Sequence, residues 1–151
     1  MKIDHITAFI ENADAAARVL SLLFGLEPVH STELANMRIF TFRLGDVEIH
    51  INQPTGTGPV NDWFQKHGAG FHHVAVTVDN LEEMQKNLLE KGFSFLGQPV
   101  ETAPGLREVF LDPKDTSGLM IQFVERKGTS EINKFSTSKI QELVMQIKSS
   151  S

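Results

Sequence analysis

The segment Ile3-Asp4-His5-Ile6-Thr7-Ala8-Phe9-Ile10-Glu11-Asn12 recurs later in the chain as Phe71-His72-His73-Val74-Ala75-Val76-Thr77-Val78-Asp79-Asn80. Apolar residues coincide at the first, fourth, sixth and eighth places, His at the third, and an acid-Asn pair closes both copies. Such a repeat constrains folding more than any local propensity, because both copies must form the same supersecondary unit. β-branched and apolar content marks each copy as a strand, and the acid-Asn ending suits the N-cap of a helix. A helix is predicted after each. The first covers residues 15–24, rich in Ala and Leu and stopped by Gly25; in the second, Leu81, Met84, Leu88 and Leu89 keep helical spacing up to Gly92. Strands follow in both halves. Residues 37–44 turn at Gly45-Asp46 into 47–52, and residues 107–111 pass through Asp112-Pro113 and Gly118 into 119–124.

The joint between halves, residues 54–70, holds a short helix from Pro59, with Gly68 past its end. Residues 1–125 therefore read as one domain of two modules, 1–53 and 70–125. Residues 126–137 have a linker's composition, and residues 138–148 form an amphipathic helix with Ile140, Leu143, Val144 and Ile147 on one face.

The chain has no cysteine, so disulfides, thiolate metal sites and a cysteine nucleophile are excluded. Its formal charge of −5 argues against nucleic acid as a partner. No apolar run is long enough to span a membrane. The opening Met1-Lys2-Ile3-Asp4-His5 puts polar residues where a signal peptide would be apolar, so a cytoplasmic protein is expected.

Strand side chains alternate faces, so His5 shares a face with Thr7 and Phe9, and His73 with Ala75 and Thr77. His50 lies on the last strand of the first half, between Glu48 and Asn52 on its face. Gln122 holds the matching place in the second half. His5 pairs with His73, and His50 with Gln122, as repeat equivalents. Any one of these alone would be an ordinary structural residue. Placed together about a pseudo-twofold axis, three imidazoles and an amide oxygen suit one divalent first-row transition metal per chain, such as Zn, Co, Ni, Mn or Fe. His72 points to the opposite face and reads as exposed or structural, His67 ends the short helix, and His30 falls in a polar turn.

The paired modules, with Gly70-Phe71-His72-His73-Val74-Ala75, Phe110-Leu111-Asp112-Pro113-Lys114 and Gly118-Leu119-Met120-Ile121-Gln122-Phe123, resemble the vicinal oxygen chelate superfamily. That group includes glyoxalase I, extradiol dioxygenases and bleomycin-resistance proteins, and the likeness is greatest to methylmalonyl-CoA epimerase-like members. The resemblance implies an α+β fold of two βαβββ modules in a curved eight-stranded sheet around a metal cleft. It implies metal ligands at His5, His50, His73 and Gln122. Epimerase-like members have Glu where this chain has Gln122, and Gln or Glu where it has His50. Their second carboxylate falls at Arg38. An amide cannot act as a general base, which leaves Glu108, taken as the repeat counterpart of Arg38, and Glu48 as candidates.

Three functions are compatible with these residues. The first is a metal-dependent epimerase, isomerase or lyase that moves an α-proton of a bidentate oxygen substrate, such as a methylmalonyl-type CoA thioester. The second is a bleomycin-resistance-like binding protein without catalysis. The third is a non-haem iron dioxygenase, disfavoured because Gln122 replaces the carboxylate of the facial triad. A small-molecule substrate and a homodimer are the expected partners.

Overall fold

Each acid-Asn pair does start a helix, and each helix is tied at its first turn in the same two ways. The computed structural model describes residues 1–34, 36–128 and 137–148. Its elements are β1 (Lys2–Phe9), α1 (Ala13–Phe24), β2 (His30–Leu34), β3 (Met37–Leu44), β4 (Val47–Pro54), α2 (Pro59–His67), β5 (Gly70–Thr77), α3 (Leu81–Glu90), β6 (Phe95–Ala103), β7 (Leu106–Leu111), β8 (Ile121–Arg126) and α4 (Thr137–Lys148). The fold class is α+β, with eight strands and four α-helices among the described residues. None of these helices is long and apolar enough to cross a membrane. Chain contacts divide it into two units, residues 5–72 and residues 1–4 with 73–151.

In the first unit the strand order is β2-β3-β4-β1, with β3 antiparallel to its neighbours and β1 parallel to β4. Asn12 Oδ1 accepts from Ala15 N at 2.9 Å, and Gln53 Oε1 on β4 accepts from Ala13 N at 2.8 Å. These bonds satisfy N–H groups that a helix start otherwise leaves open. They also extend α1 two residues before the predicted start at residue 15. Ala13 and Ala17 then pack on Phe40, Phe42 and Ile51, so small helix residues let the helix lie close over large strand residues. Gly25, at φ 63°, ends the helix in a conformation costly for other residues.

The second unit repeats the plan in the order β5-β8-β7-β6, with β5 parallel to β8. Asn80 Oδ1 accepts from Glu83 N at 3.0 Å, and Glu125 Oε2 on β8 accepts from Leu81 N at 2.7 Å. Leu81, Val109, Leu111 and Phe123 form the core beneath α3. α4 packs on β6 and β7. Leu143 is buried and Ile140 and Val144 are half-buried, as the apolar stripe requires; the side chain of Ile147 and residues 129–136 of the expected linker lie outside the described residues. A Cβ on Gly97 would stand 2.5 Å from the Gln146 side chain, so the helix rests close on the β6 backbone.

Two readings need correction. His30 begins β2 and does not lie in a turn; this polar strand pairs with β3 along its whole length, so backbone pairing and not side-chain pattern makes it a strand. His72 is not exposed: it is buried, with edge contacts to Phe9 at 4.9 Å and Trp63 at 4.3 Å between ring centroids. Its role is structural.

Candidate active site

The first unit brings His5, Glu48 and His50 together. Parallel pairing of β1 and β4 sets His5 opposite Glu48 and Thr7 opposite His50. The His5 and His50 rings stack at 4.3 Å with 16° between planes. His50 Nε2 lies 3.1 Å from Glu48 Oε2, and Arg43 Nη2 lies 2.5 Å from Glu48 Oε1. The hydrogen bond to His50, with help from Arg43, holds the Glu48 carboxyl down at about 2 against the opposing effect of burial. This glutamate is a fixed anion.

The second unit brings His73, Glu108 and Gln122 onto one face. Ala75, two residues beyond His73, pairs with Gln122, just as Thr7, two beyond His5, pairs with His50. Phe110 on β7 also pairs with Gln122, and the His73 ring meets Phe110 edge-on at 5.1 Å. Gln122 Nε2 donates to Glu108 Oε1 at 3.2 Å, and the Thr102 hydroxyl donates to Glu108 Oε2. Burial pushes the Glu108 carboxyl up to about 7; the Thr102 bond, nearby Arg126 and the Gln122 bond pull the other way, and Asp4 adds to the rise. Arg126 is itself held by Asp4, through Nε and Nη2 at 2.8 and 2.7 Å.

The family model for the Glyoxalase/Bleomycin resistance protein/Dioxygenase superfamily matches residues 4–110. The chain belongs to that superfamily. Its relatives include the uncharacterized protein YqjC of Bacillus subtilis, 26% identical over 84% of this chain and 94% of that protein. The mitochondrial methylmalonyl-CoA epimerase of Homo sapiens is 25% identical over 80% of this chain and 72% of its own length. Among solved structures, a variant of the Streptomyces coelicolor methylmalonyl-CoA epimerase in complex with 2-nitronate-propionyl-CoA superposes with a TM-score of 0.74 at 23% identity, covering 87% of this chain and 98% of that one. The superfamily's two-module fold is therefore the fold of this chain.

The pairing of Glu108 with Arg38 as repeat counterparts needs correction. Arg38 Nη2 reaches Asp14 on α1 at 2.8 Å and its guanidinium lies over Phe40, on the helix side of the sheet. Register gives Glu108 a different counterpart. Glu108 pairs with Val124, two residues past Gln122, and the residue paired with Asn52, two past His50, is Ile39. A one-place slip along a strand exchanges its faces, and the counterpart of Glu108 is Ile39, not Arg38.

A metal in this superfamily needs donors that protein partners have not consumed. Among the described residues no three His, Cys, Asp or Glu side chains are grouped so as to hold one. Of the expected donors, Gln122 Oε1 is buried without a hydrogen-bond partner, its own Nε2 being committed to Glu108, while the stacked His5 and His50 rings do not turn their nitrogens toward a common point. That bond turns the oxygen end of the amide away from Glu108 and leaves it able to ligate. Sequence reasoning missed Thr102, which is fully buried behind Glu108. Register irregularities in β6, between Leu96 and Val100 and between Glu101 and Ala103, break the alternation that would have marked its face.

Proposed function

We propose that this chain is a metal-dependent enzyme that removes the α-proton of a bidentate acyl-CoA thioester of the methylmalonyl type, as an epimerase-like isomerase or a lyase. The observation that carries the reading is the setting of Glu108, a buried carboxyl with one oxygen held by Thr102 and the other by Gln122. The epimerases among its relatives support the choice of thioester.

His5, His50, His73 and Gln122 are proposed to hold one divalent transition metal per chain. The equal strand registers of the two halves and the unpartnered Gln122 oxygen support that set. Bound there, the metal would serve as a Lewis acid toward two substrate oxygens.

The remaining chemistry belongs to the side chains. A carboxylate oxygen accepts more than one hydrogen bond, so Glu108 can take a proton while Thr102 and Gln122 stay bound to it. Fixing both oxygens in advance removes rotamer freedom that would otherwise be lost at the transition state. Gln122 has no protonation change near neutral pH, so proton transfer falls to Glu108.

The test is deuterium incorporation at the α-carbon of methylmalonyl- and ethylmalonyl-CoA in heavy water, with metal content measured on the same preparation. The natural chain should carry one divalent metal and exchange the proton. Glu108→Gln should lower exchange at least about 100-fold, the lower end for losing a general base, and His73→Ala should lose the metal with the fold retained. A metal-loaded chain that exchanges no proton from either thioester would overturn the enzyme reading in favour of a binding protein.

A further inference from the structure

We infer that the outer face of α1 is an interface for a second copy of this chain. Val19, Leu22 and Leu23 of one copy pack on the same residues of the other across a two-fold axis, with Arg18 of each copy beside Glu27 of the other. The inference is independent of the chemistry proposed for the site.

α1 buries Ala13 and Ala17 against its sheet. Leu22 stands about two and a half turns beyond Ala13, on the opposite side of the helix. In a helix covered on one side only, that opposite side is polar. Here it carries Val19, Leu22 and Leu23, at the i, i+3, i+4 spacing of a buried stripe, and Leu22 is 85% and Leu23 70% exposed. Only Asp14, Arg18 and Ser21 interrupt the apolar residues of α1. Phe24 at the helix end, then Leu26 and Val29, are exposed as well.

The repeat supplies a control. Asn12 corresponds to Asn80, so Val19, Leu22 and Leu23 correspond to Asn87, Glu90 and Lys91 of the second half, all exposed. The module itself needs no apolar outer face, and that of α1 has another cause. Two observations select a second copy as its occupant. The six exposed apolar residues from Val19 to Val29 offer on the order of 500 Å². Each side of a standard interface contributes about 800 Å², a little over half of it apolar, so the patch supplies the apolar part of one side. Its charges are also of both signs, since Arg18 and Glu27 line one cavity with Leu22. Antiparallel pairing of two α1 helices about Leu22 brings residue 18 of each copy near residue 27 of the other. A self-complementary patch needs both signs in this way, whereas a helix that lies on a membrane is rimmed by Lys and Arg.

The experiment is sedimentation equilibrium of the full chain up to about 100 μM, well above the dissociation constant of a micromolar interface. The natural chain should sediment as a dimer. The double variant Leu22→Glu, Leu23→Lys, which copies Glu90 and Lys91 of α3, should raise the dissociation constant at least about 100-fold. Its circular dichroism should not change, because both side chains are exposed. Arg18→Glu and Glu27→Arg should each weaken association about 10-fold, since each homodimer then holds two like-charge contacts. Mixed together, these two variants should recover it, because both contacts are again opposite in sign. A natural chain that stays monomeric, a dimer that survives the double variant, or a mixture that gains nothing over its components would each overturn the inference. A monomeric chain that co-sediments with phosphatidylcholine vesicles would overturn it too, and would assign the face to a membrane.

Discussion

Gln53 and Glu125 do the same work in the two halves with different charge, so the chain contains its own comparison of a neutral and an ionic helix cap. Gln53 accepts from Ala13 N at 2.8 Å and Glu125 from Leu81 N at 2.7 Å. The second oxygen of Glu125 lies 2.8 Å from Lys127 and 3.9 Å from Arg107. A neutral hydrogen bond contributes about 1 kcal/mol, and one to a charged group about 1.5–3 kcal/mol. An anion at a helix N-terminus adds about 0.3–1 kcal/mol. Lys127 is mostly exposed, so its ion pair adds little. Gln53→Ala should therefore cost about 1 kcal/mol and Glu125→Ala about 3 kcal/mol. Glu125→Gln, which copies the arrangement of the first half, should fall between them. Urea unfolding at neutral pH with an unchanged m-value measures all three. If Glu125→Ala costs no more than Gln53→Ala, the charge of the second cap contributes nothing and the reasoning fails.

Burial holds His72 down at about 4. Between its ordinary value of about 6.5 and 4 the unfolded chain binds a proton that the folded one refuses, so stability should fall on acidification through that window by up to about 3 kcal/mol. His72→Phe should flatten this part of a urea-midpoint-against-pH curve; an unchanged slope would refute the assignment. Gln122→Glu should keep the metal and raise α-proton exchange on a methylmalonyl-type thioester, read by metal analysis and deuterium incorporation, and loss of the metal would count against the ligand set. Leu143→Ala should cost about 2–3 kcal/mol as a buried leucine truncation; a thermal midpoint that does not move would show that α4 contributes nothing to stability.

Much of the architecture was legible because the repeat carries it. The strand that bears His5, the one that bears His73, their helices and the Gly25 stop were all visible in side-chain pattern, since both halves bury one face of the same elements. The pairing of His50 with Gln122 also came from alternation, and the two strand registers agree with it. β2 was hidden because an edge strand needs backbone partners more than apolar side chains. Thr102 was hidden by the bulged β6. The pairing of Arg38 with Glu108 is off by one residue, a slip that pattern cannot detect between strands alike in composition but that strand register and an ion pair from Arg38 to α1 expose. The proton affinity of Glu108 was invisible for another reason: it depends on burial and on donors from β6 and β8, which no local stretch of sequence specifies.

The two glutamates proposed for the site show what duplication makes possible. One, held down near 2, stays ionised at neutral pH; the other, pushed up near 7, can take up or release a proton there. His50 and Arg43 hold the first down against burial, while burial pushes the second up, Asp4 adding to the rise and Thr102, Arg126 and Gln122 opposing it; the named neighbours of each lie in its own unit. A substitution among one set resets one group and spares the other. Copies of a single ancestral module can therefore drift toward opposite acid–base characters by independent steps, without a stage in which both are lost.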